Sequence, residues 1–461
     1  MEENLKEPEM EQLSELLEQK KFGQLRELLT SLNPADIAQI LQDAEESEFL
    51  ILFRILPKEL AAETFVEMDN DRQEFLISAF SDRELKNVID EMYADDAADL
   101  IEEMPAGVVK RILRHTDPEM RKDINQLLRY PKDSAGSIMT TEYVDLKKHL
   151  TVAEAFDRIR RIGVDKETIY TCYVTDENRK LIGLVSAKDL MLSDYNQAID
   201  EIMETNITYV NTLEDKEDVA IMFDKYDFLA LPVVDAEDRL VGIVTVDDAI
   251  DVLQDENTED ITKMAAVVPS EDTYLKTPAW KHAKNRIFWL LFLMLSATIT
   301  GSILQEYENA FVAIPILVAF VPMLTGTGGN CSSQSSTMII RGLALGEIRF
   351  KDFFRVVFKE LRIGLLAGLV LALVNAGRIY LMYSHNADVI SQVSLFNLAL
   401  ISGLSLIGIV ILAKCIGCIL PMLAKKCGLD PALMAAPLLS TILDTCSVMI
   451  FFSIAMAILK L

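Results

Sequence analysis

The sequence predicts a multidomain membrane protein with an all-α superhelical N-terminal domain, a duplicated α/β domain, an acidic connecting helix and a five-helix transmembrane domain. Three observations carry this reading. First, charge divides the chain. Residues 281–461 hold 14 Lys and Arg against 8 Asp and Glu, a net of +6, whereas residues 1–280 hold 30 against 63, a net of −33. Second, a 12-residue apolar register runs through 32–115. Third, a longer repeat with an offset of 59 runs through 134–253. The whole-chain charge of −27, on a sequence that is 51% hydrophobic, thus averages an aqueous acidic half and a lipid-soluble half. Phosphate contacts need positive charge, so a nucleic-acid binder is excluded and cations become the expected partners.

The first domain is assigned to 1–130. In units starting at Leu32 and repeating every 12 residues, the ninth and tenth positions are Ile40-Leu41, Leu52-Phe53, Thr64-Phe65, Leu76-Ile77, Val88-Ile89, Leu100-Ile101 and Ile112-Leu113. Turn chemistry recurs near the unit starts, as at Asn33-Pro34, Asp69-Asn70 and Ser81-Asp82. Short helices in such a register stack into a superhelical solenoid. This one is dense in carboxylates, among them Glu59, Glu63, Asp95, Asp96, Asp99, Glu102 and Glu103.

The next two domains are assigned to 131–196 and 197–253. Tyr173–Asp189 aligns with Pro232–Asp248, and Gly136-Ser-Ile-Met139-Thr140 aligns with Asp200-Glu-Ile-Met203-Glu204. Each copy reads as helix, strand, turn, strand, helix. The duplicated register resembles a tandem pair of CBS domains. There a strand-end Ser/Thr followed three residues later by Asp contacts a nucleotide ribose, which marks Ser186, Asp189 and Thr245 as candidates for ATP or another adenine nucleotide.

A connecting helix follows, assigned to 254–280. Asp248, Asp251, Asp255 and Glu259 share one helical face. Like charges at those spacings repel, so counter-cations are expected there.

Five apolar runs in 281–461 are long enough to span a bilayer: Ile287–Leu304, Phe311–Ile340, Leu361–Met382, Leu395–Leu423 and Leu433–Leu459. The N-terminus lacks a hydrophobic signal segment. Lys and Arg cluster before the first run, between the second and third, and after the fourth. The positive-inside rule then puts the N-terminal domains in the cytoplasm and the C-terminus outside the inner membrane. Five of the six cysteines lie in this half; the Cys415–Cys418 spacing reads as small residues packing a helix.

Two membrane features carry chemistry. Pro322-Met-Leu-Thr-Gly326-Thr-Gly328-Gly329-Asn330-Cys-Ser-Ser-Gln334 is expected to interrupt its helix and free carbonyls toward a water-filled path. Asn330 and Gln334, four apart, would share a face. Asp444 reads as the only acidic residue inside the spans. A membrane carboxylate is a functional site by default, with Lys414 as the competing structural partner. Hard oxygen ligands and a single carboxylate suit magnesium, which keeps much of its water, and two chains facing each other would supply a second carboxylate. An intramembrane aspartyl protease needs a carboxylate pair, so an enzyme is not expected.

In this order, the acidic solenoid, CBS pair, acidic helix and membrane motifs resemble the MgtE family of bacterial magnesium channels or transporters. The resemblance implies a homodimer in the lipid bilayer whose pore is lined by the second and fifth spans, with Asp444 binding hydrated Mg2+ beside Gly326, Gly328, Gly329, Asn330 and Gln334. It also implies that Glu63, Asp95 and Asp99 share regulatory Mg2+ with Asp227, Asp248 and Asp251, and with Glu256, Glu259 and Asp260 of a plug-like connecting helix that Asp430 meets. Cys331 and Ser333 depart from the family's usual filter pattern. A CBS-regulated carrier for Co2+ or Mn2+, with Asp444 as a proton site, is the alternative.

Overall fold

The computed structural model describes residues 13, 15–17, 19–269, 274, 275, 277–307, 312, 314–434 and 436–460. The N-terminal twelve residues and Ala435 of the proline-rich membrane motif lie outside this set. The chain divides into two compact units, Met1–Leu253 and Gln254–Leu461.

The first unit opens with a run of short helices: α1 (Phe22–Thr30), α2 (Pro34–Asp43), α3 (Glu46–Ile55), α4 (Lys58–Val66), α5 (Asn70–Ala79), α6 (Asp82–Ile89), α7 (Ala94–Glu103), α8 (Ala106–His115) and α9 (Pro118–Leu127). Each begins 12 residues after the one before. The turn residues act as expected. Pro34 and Pro118 sit in first turns, where no amide donor is needed. Ser81 and Glu84 form a reciprocal capping box at α6. The apolar pairs of the register form the core, with Leu41, Phe65, Leu76 and Ile112 fully buried. Alternate helices stack, α2 on α4, α4 on α6, α6 on α8 and α7 on α9.

Two three-stranded sheets follow. The first comprises β1 (Asp145–Lys147), β2 (Thr171–Thr175) and β3 (Leu181–Ser186), with helices α10 (Val152–Ile162), α11 (Ala187–Leu192) and α12 (Ile199–Ile202). The second comprises β4 (Val210–Asn211), β5 (Ala230–Val234) and β6 (Leu240–Thr245), with α13 (Lys216–Tyr226). In both, the first strand runs parallel to the second and the second antiparallel to the third. The strands flanking each turn keep the 59-residue offset. The short parallel edge strands β1 and β4 were not expected.

The two copies exchange edges. Thr140 bridges Ile243 of the second sheet, while Glu204 bridges Leu184 of the first. The aligned methionines explain the glycine of each copy. A side chain at Gly242 would come within 2.7 Å of Met139 Sδ, and one at Gly183 within 2.7 Å of Met203 Sδ. The segment leaving α9 docks on the second copy, Ala135 and Gly136 donating to the carbonyls of Glu214 and Thr212. One hydrophobic core consequently runs from the solenoid into the second α/β copy, through Met139, Phe223 and Val244, while the first copy has a core of its own.

The chain leaves the second sheet along α14 (Val246–Met264). In the second unit, helices α15 (Ala279–Glu306), α16 (Val321–Ala344), α17 (Phe353–Tyr383), the short α18 (Ala387–Gln392), α19 (Leu395–Lys426) and α20 (Ala436–Leu459) build the membrane domain. Ala279–Glu306, Leu395–Lys426 and Pro431–Leu459 are long and apolar enough to cross a bilayer by composition alone. The 24 residues of α16 span about 36 Å at 1.5 Å per residue. Central α19 packs against α16, α17 and α20, while α15 lies along α20. Cys418 is fully buried beside Gly417, where an added Cβ would lie 2.6 Å from the Ser332 carbonyl oxygen, so this cysteine pair belongs to close helix packing.

The expected break at Gly326–Asn330 is not there. From Val321 to Ala344 the helix is continuous, and the irregular backbone lies upstream in a 3-10 turn, Pro315–Phe320. Pro322 stands in the first turn, where it removes no ladder bond. The glycines serve approach instead. Gly328 and Gly329 are buried, with Ser447 Oγ and Ser440 Oγ 3.0 and 3.2 Å from where their side chains would begin.

Gly242→Ala should lower stability by about 1–3 kcal/mol, because the new methyl meets the Thr140 carbonyl at 2.8 Å. Gly107→Ala, which meets nothing within 4 Å, should cause no loss. Denaturant unfolding of the two variants in detergent checks the contrast.

Candidate cation site and ion path

A cavity of about 280 Å3 opens where the solenoid faces the second CBS copy. Its walls include Glu63, Glu67, Glu91, Asp95, Asp96, Glu167, Asp247 and Asp248, and among the described residues no lysine, arginine or histidine lines it. Local structure explains the convergence. Asp95 and Asp96 occupy the first turn of α7, and Asp247 and Asp248 the first turn of α14. Helix N-termini stabilise negative charge, which makes these positions tolerable for acids.

The electrostatic cost remains large. Burial, followed by the charge of Asp248, pushes the carboxyls of Asp96 and Asp99 up to about 7. Burial and then Asp247 push Glu167 up to about 8, and burial pushes Asp248 up to about 6 against an opposing bond from Thr245. Asp95, 9% exposed, is held well above the usual carboxylate range by burial and then by Asp248. Asp95 Oδ1 and Glu167 Oε2 are buried without a hydrogen-bond partner. Such orphaned acceptors are expensive unless something supplies positive charge or donors. Among the described residues, no three His, Cys, Asp or Glu side chains converge as a ready-made cage. The wall therefore fits a cation that keeps its water and is held through hydrogen bonds to that water.

Of the expected regulatory residues, Glu63, Asp95 and Asp248 line this cavity, and Asp99 feels the Asp248 charge. Asp227 does not line it; it is exposed at the C-terminus of α13, in a left-handed conformation with φ 55°. Asp251 is exposed on α14. Glu167, Asp247, Glu67 and Glu91 were missed. Glu167 had no repeat signal, since it lies in the irregular link between α10 and β2. At the strand-to-helix corners Ser186 Oγ donates to Asp189 at 2.5 Å and Thr245 Oγ1 to Asp248 at 2.6 Å. Asp189 stays exposed.

In the second unit, Lys263 Nζ pairs with Asp430 at 2.6 Å and also with Glu259. Burial works against its charge, yet the bonds to Asp430 and Glu259 hold the ammonium above the usual lysine range. Burial, then the Asp430 charge, raises the carboxyl of neighbouring Asp260. Glu256 lies half-buried on the same helix.

The polar face of α16 is regular. Gly326, Asn330 and Gln334, four apart, are all exposed on one side, while Gly328 and Gly329 turn toward α20. Asp444 is half-buried in the turn of α20 between Ser440 and Ser447, the serines that meet those glycines. With α16 unbroken, its carbonyls are committed to helix bonds, so oxygen ligands near Asp444 must come from side chains or water. Lys414 donates to Gln334 at 3.2 Å, and among the described residues no ion pair joins it to Asp444. Asp444 is also not the only acid in the bundle. The expected third run begins at Leu361, whereas α17 begins at Phe353 and carries Glu360, 9% exposed.

Comparison with known proteins decides the family. Residues 321–454 match the MgtE divalent cation transporter model, 32–133 the MgtE intracellular N domain, and 135–194 with 199–255 the CBS domain. The chain is 37% identical to the magnesium transporter MgtE of Thermus thermophilus, over 97% of this chain and 98% of that protein. The chain belongs to the MgtE family. The MgtE magnesium transporter of Bacillus subtilis is 32% identical over 96% of this chain and 95% of its own length. Two solved structures are similar to the N-terminal half of the chain. The cytosolic domain of the Mg2+ channel MgtE in complex with ATP matches at TM-score 0.50 and 37% identity, covering 52% of this chain and 98% of that one. The soluble part of a magnesium transporter matches at TM-score 0.52 and 33% identity, covering 54% and 98%. MgtE proteins are transporters and not enzymes, and the four-part architecture read from the sequence is the MgtE one.

The raised carboxyls predict a pH response. Their folded-state values lie above the unfolded ones, so without metal the stability they permit is fully present below about pH 4, the ordinary carboxyl range, and drains away as pH rises through 6 to 8. Thermal unfolding of the full chain in EDTA should therefore show a melting temperature that falls between pH 5 and 8, and millimolar Mg2+ should flatten that fall. A pH-independent melt in EDTA would contradict the cluster's electrostatics.

Proposed function

We propose that this chain carries Mg2+ across the bacterial cytoplasmic membrane as a homodimer, along the Gly326–Asn330–Gln334 face of α16 and past Asp444, and that cytoplasmic Mg2+ closes the path. The observation that carries the regulatory part is the cavity walled by Asp95, Asp96, Glu167 and Asp248, with orphaned buried oxygens and no cationic side chain. At low Mg2+ the acids repel, and solenoid and second CBS copy separate. As Mg2+ rises, divalent charge offsets the burial cost and holds the compact state. A ligand shifts such an equilibrium only by binding one state better, and several ions favouring the compact state make the response steep.

The same helix that begins with Asp247 and Asp248 carries Glu256, Glu259 and Asp260 toward its C-terminus, and there Asp430 pairs with Lys263. This continuity supports the connecting helix as the element through which the sensor acts. Asp227 and Asp251 are assigned to the outer, more exposed part of the sensor. Ser186, Asp189 and Thr245 form the corners where a nucleotide ribose would be held, in keeping with the ATP complex of the similar cytosolic domain. The transport part rests on Asp444, set beside the one bundle helix with a row of small and amide residues. Lys and Arg at alternate loops put the C-terminus outside.

Neutralising Asp248, Asp251 and Glu259 together to Asn, Asn and Gln should leave Mg2+ flux open at millimolar internal Mg2+ in reconstituted vesicles; normal closure in that variant would remove the sensor assignment. Asp444→Ala should reduce Mg2+ uptake to background while the protein still inserts, as judged by membrane fractionation. Competition by Co2+, Mn2+ and Ca2+ in the same assay separates a magnesium path from a broader divalent carrier.

A further inference from the structure

Among the described residues, two charged side chains are buried in the membrane bundle behind the proposed ion path. Lys414 on α19 is 6% exposed and Glu360 on α17 is 9% exposed. Charge at such depth costs about 2.5–3.5 kcal/mol even on lenient scales, so it is retained only with a partner. Neither forms an ion pair among the described residues. Each instead engages a neutral side chain of α16, at consecutive positions. Lys414 Nζ donates to Gln334 Oε1 at 3.2 Å, and Ser335 Oγ donates to Glu360 Oε2 at 2.5 Å.

Consecutive residues project about 100° apart around a helix, from its 3.6 residues per turn. Hydrogen bonds at 334 and 335 from two different helices therefore fix both the rotation and the height of α16. That constraint matters because the preceding turns cannot supply it: Gly326, Gly328 and Gly329 have no side chains with which to lock the helix. The opposite formal charges of Lys414 and Glu360 also leave the bundle without net charge from this pair. Gln334 is affected directly. Its carbonyl oxygen accepts from the ammonium, which ties the side chain at this position of the face to α19.

We infer that Lys414 and Glu360 are positioning residues for transport, setting the orientation of the Gly326–Asn330–Gln334 face by hydrogen-bonding Gln334 and Ser335 from two sides. The inference rests on the reading of that face as the ion path. Hydrogen bonds to charged groups are strong enough that loss of either should change transport about tenfold.

The test uses the full chain in liposomes loaded with a Mg2+-sensitive dye, with Ca2+, Mn2+ and Co2+ as competitors. Lys414→Met and Glu360→Ala should lower Mg2+ flux about tenfold and alter the order of competition, in protein that remains monodisperse. Lys414→Arg and Glu360→Gln, which keep a donor and an acceptor, should restore most of both. Ser335→Ala removes the neutral partner with little change in volume and should reproduce the altered competition of Glu360→Ala, which keeps the test open should the truncations fail to fold. Flux and competition unchanged in Lys414→Met, Glu360→Ala or Ser335→Ala, with Asp444→Ala inactive, would overturn the positioning role alone. So would conservative variants as impaired as the truncations. Full activity of Asp444→Ala would overturn the path reading together with it.

Discussion

The aqueous half is organised around carboxylates that the fold brings together and partly dries. Water would screen their charges if they were exposed; in the cavity between solenoid and second CBS copy, burial and neighbouring acids push these carboxyls above their ordinary range. The chain makes this tolerable by placing two acid pairs at two helix N-termini, Asp95-Asp96 and Asp247-Asp248. It does not remove the cost, since no cationic side chain lines the space. A protein selected only for stability would place a lysine there, or lose the acids. The arrangement leaves the fold short of its best electrostatic state, which is the ground for the cation sensor proposed above.

The second unit shows the opposite treatment of charge. Near the end of α14, Lys263 sits between Glu259 and Asp430, so an internal cation already occupies that cluster. Inside the bundle Lys414 and Glu360 are each satisfied by a neutral side chain of α16. Asp444 is half-buried, and among the described residues no ion pair joins it to another side chain. The contrast separates two settings of acids in one chain: those paired with the protein's own groups, and those gathered together without a cationic side chain among the described residues.

Much of this was legible in advance. The 12-residue register named the core pairs of the solenoid, because a helix of eight to ten residues with a short link repeats its buried positions at that interval. The 59-residue offset predicted the strand pairs, and the separate upstream match of Gly136–Thr140 with Asp200–Glu204 paired the methionines, since duplicated units keep duplicated contacts. Other features were not legible for physical reasons. Strands β1 and β4, of three and two residues, are too short to show alternation. The glycines of α16 were read as a break, yet helix-packing glycines and helix-breaking glycines look alike until the partner helix is known. Glu360 hid behind flanking basic residues that made its turn resemble a loop. Glu167 joins the acidic cavity from an irregular link, and no pattern marks a residue that tertiary structure alone brings into place.

The docking of residues 134–136 on the second CBS copy has a mechanical consequence. Because the solenoid ends at α9 and its following segment is stitched to Thr212 and Glu214, only a few residues separate the solenoid from its partner surface. The solenoid is thus a tethered ligand whose local concentration stays in the millimolar range or above even when its contacts are broken. In the proposed sensor, separation would therefore be short-range and quickly reversed, a hinge on a leash and not a dissociating subunit. A lengthened leash at residues 128–133 would dilute the solenoid near its surface and shift the balance point without altering a single carboxylate.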